Sequence, residues 1–417
     1  MTQTMTDAVA CGGIGLFMGL AWLLSESRRD VKLMPVLGAL ATQVGLATLM
    51  LRVEPVRDLF LWLSGGIGAI KQATLAGTSF VYGYVGGAPL PFELKPGGNP
   101  FIFGLQALPM VLVISSLSMV LFHWKILPLV VRGVSWLLSR TLRVGGALGV
   151  CAAAKVFLGQ TEAPLLIRPY LSKLTRSELF CVMTLGMATT SAAVMVIYAS
   201  ILENTLDHPI RHILTASFIS VPAAVAISRL MIPHTGPHTD GELESPYKFS
   251  GAMEAVSHGA TEGMKLYLNI IPMLIVSLAL VSLCNSILGN VMVAEAPLSL
   301  QRILGVALSP LAFVMGIPWE EAMRAGQLIG TKLAMNEVMA FIELAKMPSE
   351  ALSPHSRLIM TYALCGFANL SSIGIQIGGI GTMVPERRAE IIGLGFRSML
   401  AGMLSTCLSG TIVGLLS

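Results

Sequence analysis

The sequence predicts an all-α polytopic membrane protein with eight transmembrane helices and two re-entrant hairpins. Three observations carry that prediction. Charged residues make up 12% of the 417, about half the share of a soluble domain, and mean hydropathy is +0.75. Uncharged runs near the length of about 20 residues that a helix needs to cross a bilayer recur along the chain. Two other apolar regions are interrupted by charge and proline, so neither crosses cleanly as a regular helix.

The spanning runs are Ala8–Leu24, Leu33–Leu51, Phe101–Phe122, Leu179–Leu202, Ile213–Ser228, Leu266–Ala294, Leu358–Pro385 and Ser398–Ser417. Between the second and third lies 54–75, with Pro55, Arg57, Trp62 and Lys71. Its amphipathic pattern predicts a helix lying at the interface. The interrupted regions are 144–172, broken by Lys155, Glu162 and Pro164, and roughly 299–335, broken by Pro310, Pro318, Glu320 and Glu321. Irregular backbone is tolerated at membrane depth only where protein or a water-filled cavity covers it, so both are read as hairpins. Residues 233–250 form the single long polar loop.

Loop charge orients the chain. Arg28, Arg29 and Lys32 follow the first run, and Arg387 and Arg388 precede the last. The positive-inside rule places both loops in the cytoplasm and hence both termini in the periplasm, which an even count of crossings satisfies. The start MTQTMTDAVA carries an acid and no basic cluster, so it reads as a first span and not a cleaved leader.

Composition excludes several classes. The net charge of +4 sits in short loops, which argues against a nucleic-acid partner. The six cysteines are scattered through apolar segments without a CxxC pair and read as buried thiols. His234 and His238 stand four apart in a Pro/Gly loop and are not read as metal ligands. Gly378-Gly379-Ile380-Gly381 follows no strand and is read as a span end, not a phosphate loop. No HExxH or paired Ser/His lies within the spans, and no enzyme activity or cofactor is expected.

Candidate chemistry concentrates in two clusters. Gln160, Thr161 and Glu162 set an amide, a hydroxyl and a carboxylate beside Pro164 within an apolar stretch. A carboxylate at that depth marks a pathway or a binding site. Together they offer donors and acceptors to a polar substrate. The second cluster is Glu337, in an apolar neighbourhood after Asn336, with Asn369 and Ser372 in a 28-residue run without formal charge. Each oxygen of a carboxylate can accept one hydroxyl. Asn369 and Ser372, three apart, share a helix face. The two clusters occupy matching places in two halves of like plan: hairpin, broken span, closing span. Paired interrupted segments of this kind point to a transporter site at a repeat interface.

Three segments resemble the concentrative nucleoside transporters. They are Gly159–Phe180 (GQTEAPLLIRPYLSKLTRSELF), Gly366-Phe367-Ala368-Asn369-Leu370-Ser371-Ser372, and Gly316-Ile317-Pro318-Trp319 with Asn336-Glu337 downstream. They occur in the family's order, and the likeness runs over nearly the whole chain. The resemblance implies nucleobase contacts at Gln160, Thr161 and Glu162 and ribose contacts at Glu337, Asn369 and Ser372, with Phe367 near the sugar. It also implies an inverted-repeat core that moves as an elevator against a trimerising scaffold. The expected division is 1–125, scaffold spans and interfacial helix; 126–232, first core repeat; 233–298, polar loop and scaffold span; and 299–417, second core repeat.

One departure bears on the coupling ion. Sodium-coupled members of that family place an Asn four residues before the Gly of the GQTE motif, where this chain has Lys155. Thr189 keeps the family's second hydroxyl. Thr190-Ser191-Ala192 replaces the usual Ile-Ala-Gly. An ammonium offers three donors and no acceptor. At 4 Å it repels a cation by about 4 kcal/mol at an effective dielectric of about 20. The expectation is therefore a bacterial inner-membrane nucleoside symporter coupled to protons or independent of sodium. Sodium symport with Lys155 snorkelling away, and a facilitative pore, are the alternatives. Nucleosides, the lipid bilayer and two further copies of the chain are the expected partners.

Overall fold

Several helices start at a residue whose side chain caps the backbone ladder. A computed structural model describes residues 3–94, 100–142, 144–241, 247–293 and 296–417. Residues 242–246 of the expected polar loop lie outside the described residues. The chain runs α1 (Gln3–Leu23), α2 (Leu33–Arg52), α3 (Glu54–Tyr82), α4 (Phe103–Gln106), α5 (Met110–His123) and α6 (Ile126–Leu142). Then come α7 (Gly146–Ala154), α8 (Glu162–Leu165), α9 (Arg176–Ala188), α10 (Ala192–Ile201), α11 (Pro209–Met231) and α12 (Ala252–Leu288). Last are α13 (Leu300–Val314), α14 (Trp319–Ala334), α15 (Glu337–Lys346), α16 (Pro354–Leu364), α17 (Leu370–Met383) and α18 (Arg388–Leu416). A minimal antiparallel pair, Met292–Val293 with Ala296–Pro297, joins α12 to α13.

The caps explain the breaks. Thr175 and Glu178 form a reciprocal capping box that starts α9. Asn336 accepts from Met339 N and starts α15, Ser353 starts α16, and Asn369 accepts from Ser372 N and starts α17. Between α9 and α10 the backbone of Thr189 and Ser191 is extended. Between α16 and α17 the interruption spans Cys365–Asn369.

Six helical stretches among the described residues have the length and apolarity to cross a membrane: Leu33–Arg52, Phe103–His123, Arg176–Ile201, Pro209–Met231, Ala252–Leu288 and Pro385–Leu416. The apolar part of α1, Ala8–Leu23, is shorter. The expected run Leu358–Pro385 is divided into α16 and α17.

Buried packing centres on α18 and α11. Helices α9, α16 and α17 pack on α18, and α9 also packs on α11. Small residues permit the approach: an added Cβ at Gly410 of α18 would lie 2.8 Å from the Ile359 carbonyl oxygen of α16. Ser409 ties three helices together, accepting from Gln43 of α2 at 3.1 Å and meeting Ser220 of α11 at 3.2 Å.

Helices α1 and α2 pack on α18 and α11, while α5 pairs with α12. Hydropathy marks a span but not its neighbour. The expected hairpin over 299–335 is a bent pair: α13 and α14 pack on each other, and the chain turns by 118° around Gly316, whose φ of 93° suits glycine. Helix α14 ends before Met335, and Asn336 caps α15, which begins on Glu337 and packs on α14. The helix expected over 54–75 is present and extends to Tyr82.

Candidate functional site

The two halves present their chemistry in parallel fashion. In each, a first limb ends, a short tip follows, and the second limb begins on a glutamate: Glu162 opens α8 and Glu337 opens α15. The following span is broken, and the freed backbone of that break lies within the protein.

Glu337 sits in a buried hydrogen-bond network. It is 4% exposed, and both its oxygens are engaged. Tyr198 of α10 donates its hydroxyl to Oε1 at 2.7 Å. Asn369 donates Nδ2 to Oε2 at 2.8 Å. The Asn369 oxygen accepts from Ser372 N at 2.8 Å and from Ser371 Oγ at 2.7 Å. The structure therefore brings Glu337, Asn369 and Ser372 into one buried cluster, with half-buried Phe367 in the same interruption. Such a carboxylate is an acceptor for hydroxyl groups and holds two donors already.

At the first tip, Glu162 turns back and accepts from Gly159 N at 3.0 Å. Thr161 packs over Gly379 of α17, which leaves no room for a side chain there. The Gln160 oxygen is buried and has no hydrogen-bond partner among the described residues. A buried acceptor without a donor costs about 1–3 kcal/mol, so this atom is suited to an incoming N–H. Gln376 of α17 lies nearby, donating Nε2 to the Met183 carbonyl at 2.8 Å. A cavity of about 500 Å³ lies elsewhere, lined by Glu203, Asp207, Met347 and Arg357 among others and by none of these candidates.

Lys155 caps the end of α7 and is fully buried. Its Nζ has no hydrogen-bond partner among the described residues. Thr189 donates instead to the Leu185 carbonyl at 2.8 Å, and the Thr190 hydroxyl lies 3.8 Å from Cys365 Sγ. The segment after Lys155 is nonetheless held against the break, because Ala192 N donates to the Phe157 carbonyl at 3.0 Å.

Sequence reasoning missed Tyr198 and Lys332. Lys332 is 1% exposed and donates to the Ala363 carbonyl at 2.8 Å and to Thr406 Oγ1 at 3.0 Å. It neutralises the carboxyl end of α16 where that span breaks. Its signal was an isolated lysine in an apolar stretch, five residues before Glu337. The signal for Tyr198 was a lone phenol in an uncharged run.

His234 and His238 gain a neighbour that the sequence did not show. Their rings stack 4.2 Å apart at 4°, and ligand atoms of both lie within 4.8 Å of a Glu178 oxygen and of each other. Parallel rings cannot both aim in-plane lone pairs at one ion. Glu178 already accepts from Thr239 N at 2.9 Å, Thr239 Oγ1 at 2.7 Å and Thr175 N at 2.9 Å. The cluster is a polar knot that ties the 233–241 segment to α9.

Comparison with known proteins identifies the family of the chain. Residues 12–85 and 212–414 match profiles described as the N-terminus and C-terminus of Na+ dependent nucleoside transporters. Residues 104–205 match one described as nucleoside recognition. The chain is 35% identical to the nucleoside permease NupC of Helicobacter pylori over 97% of its own length and 96% of that protein. It is 33% identical to human solute carrier family 28 member 3, covering 98% of this chain and 60% of that one. A solved structure of CNTnw in an inward-facing substrate-bound state superimposes with a TM-score of 0.89 at 33% identity, covering 100% of this chain and 99% of that one. The chain belongs to the concentrative nucleoside transporter family, a family of transporters and not of enzymes.

Proposed function

We propose that this protein takes up nucleosides across the bacterial inner membrane by symport that does not require sodium, with a proton gradient as the energy source. The observation that carries the sodium-independent reading is Lys155. It is a fully buried ammonium with no hydrogen-bond partner among the described residues, standing where sodium-coupled relatives have an Asn. It acts as a tethered cation in place of a bound one. Gln160, Thr161 and Glu162 meet the base, while Glu337, Asn369, Ser372 and Phe367 meet the ribose. The chain makes eight crossings with both termini periplasmic and assembles as a trimer. The two hairpin-bearing halves carry the substrate past a fixed scaffold as an elevator.

Uptake of labelled uridine into proteoliposomes tests this, with sodium and pH gradients varied separately. Uptake is expected to be indifferent to replacing sodium by choline and to rise with an inward proton gradient. Lys155→Asn is expected to weaken it or to make it partly sodium-dependent. A wild-type requirement for sodium refutes the tethered-cation reading. Thr189 favours sodium symport as the second reading, because it keeps the hydroxyl of the family's cation site.

A further inference from the structure

Glu337 is bound from two sides by groups that belong to different parts of the chain. Asn369 opens α17 and holds Oε2 at 2.8 Å. Tyr198 comes from α10, beyond the break at Thr189–Ser191 in the first half, and holds Oε1 at 2.7 Å. Tyr198 is fully buried. Its ring lies 4.6 Å from that of Phe341, tilted by 31°. Phe341 is four residues after Glu337 on α15, hence on the same helix face. The phenol is therefore fixed twice against one face of α15, by ring packing and by its hydroxyl. Packing alone would be met by a phenylalanine.

An ionised carboxylate offers about four acceptor positions, two on each oxygen. Tyr198 and Asn369 occupy one on each. Each oxygen can accept a second hydrogen bond, and the two oxygens of a carboxylate are spaced for the two adjacent hydroxyls of a furanose. We propose that Tyr198 is a positioning residue that orients Glu337 so that one acceptor position on each oxygen faces the substrate, selecting a ligand with two vicinal hydroxyls. The inference rests on the reading of Glu337 as the ribose anchor. It adds the residue that gives this anchor its preference for ribose over deoxyribose.

The test is Tyr198→Phe in proteoliposomes, with KM measured for uridine, 2′-deoxyuridine and 3′-deoxyuridine, and thermal stability followed in detergent. Tyr198→Met, which keeps side-chain length without the hydroxyl, serves as a second variant. The hydroxyl's loss is expected to raise the uridine KM about ten-fold, the size of one hydrogen bond to a charged group. The KM ratio of one deoxynucleoside to uridine is expected to shrink by about three-fold or more, because the oxygen that discriminates is no longer held. A structural tyrosine would shift all three substrates alike. Unchanged ratios for both deoxynucleosides, in a wild type that prefers uridine to uracil, overturn the inference and leave the ribose anchor standing. Equal competition by uracil and uridine in the wild type removes the anchor reading and the inference with it.

Discussion

Replacing Asn369 by Asp separates two jobs that one side chain performs. The Asn369 oxygen caps α17 by accepting from Ser372 N, and its nitrogen donates to Glu337 Oε2 at 2.8 Å. Asn369→Asp keeps the acceptor, so the cap, worth about 1 kcal/mol, survives. The donor becomes a second carboxylate oxygen. Two full charges 2.8 Å apart repel by about 6 kcal/mol at an effective dielectric of about 20. A charge-assisted hydrogen bond worth about 1.5–3 kcal/mol is lost as well. Side-chain relaxation absorbs part of this. The remainder is enough to lower uridine uptake about 100-fold, which needs only about 2.7 kcal/mol. Exchanging the partners, Glu337→Gln with Asn369→Asp, restores one amide facing one carboxylate and is expected to recover thermal stability lost in the single variant. Uptake of labelled uridine per folded carrier and unfolding in detergent are the assays. Wild-type uptake and stability in Asn369→Asp at pH 7 would refute the pairing as the basis of the site.

Other expectations follow from the same structure. Glu162→Ala removes the acceptor that closes the hairpin tip on Gly159 N; uridine uptake is expected to collapse with protein still folded, and retained uptake counts against a base-side role. Cysteine reporters at Gln3 and Ser417 are expected to label from the periplasm and one at Ser27 from the cytoplasm; opposite labelling of the termini would show an odd number of crossings. Burial, aided by the neighbouring His238, pushes the His234 imidazole below its ordinary value. Protonation then favours the unfolded chain, so this contribution to stability is complete above pH about 6.5 and declines as pH falls below it. His234→Leu is expected to flatten the acid side of the Tm profile, and an unaltered profile would exclude His234 as its source.

Six of the expected spans were legible because hydrocarbon imposes a length and an apolarity on any helix that crosses it, and both are properties of consecutive residues. The first tip was legible for a similar reason. A carboxylate beside a proline in an apolar stretch conflicts with a plain span, and that conflict is local. Glu337 and Asn369, too, were individually visible. What joined them was not. They are 32 positions apart, and the hydrogen bond between them depends on how the caps at Asn336 and Asn369 bring α15 and α17 together. Tyr198, 139 positions from Glu337, is silent in a list of residues because a phenol in an apolar run looks like core until its acceptor is known. The pairing of α1 and α2 with α11 and α18 was equally hidden. Lipid tails and leucine side chains are alike in apolarity, so which helices touch is decided by the close fit of small residues such as Gly410 and by buried polar contacts such as that between Gln43 and Ser409. The local chemistry of each span was written in neighbouring residues, whereas the site arises only where packing brings distant breaks together.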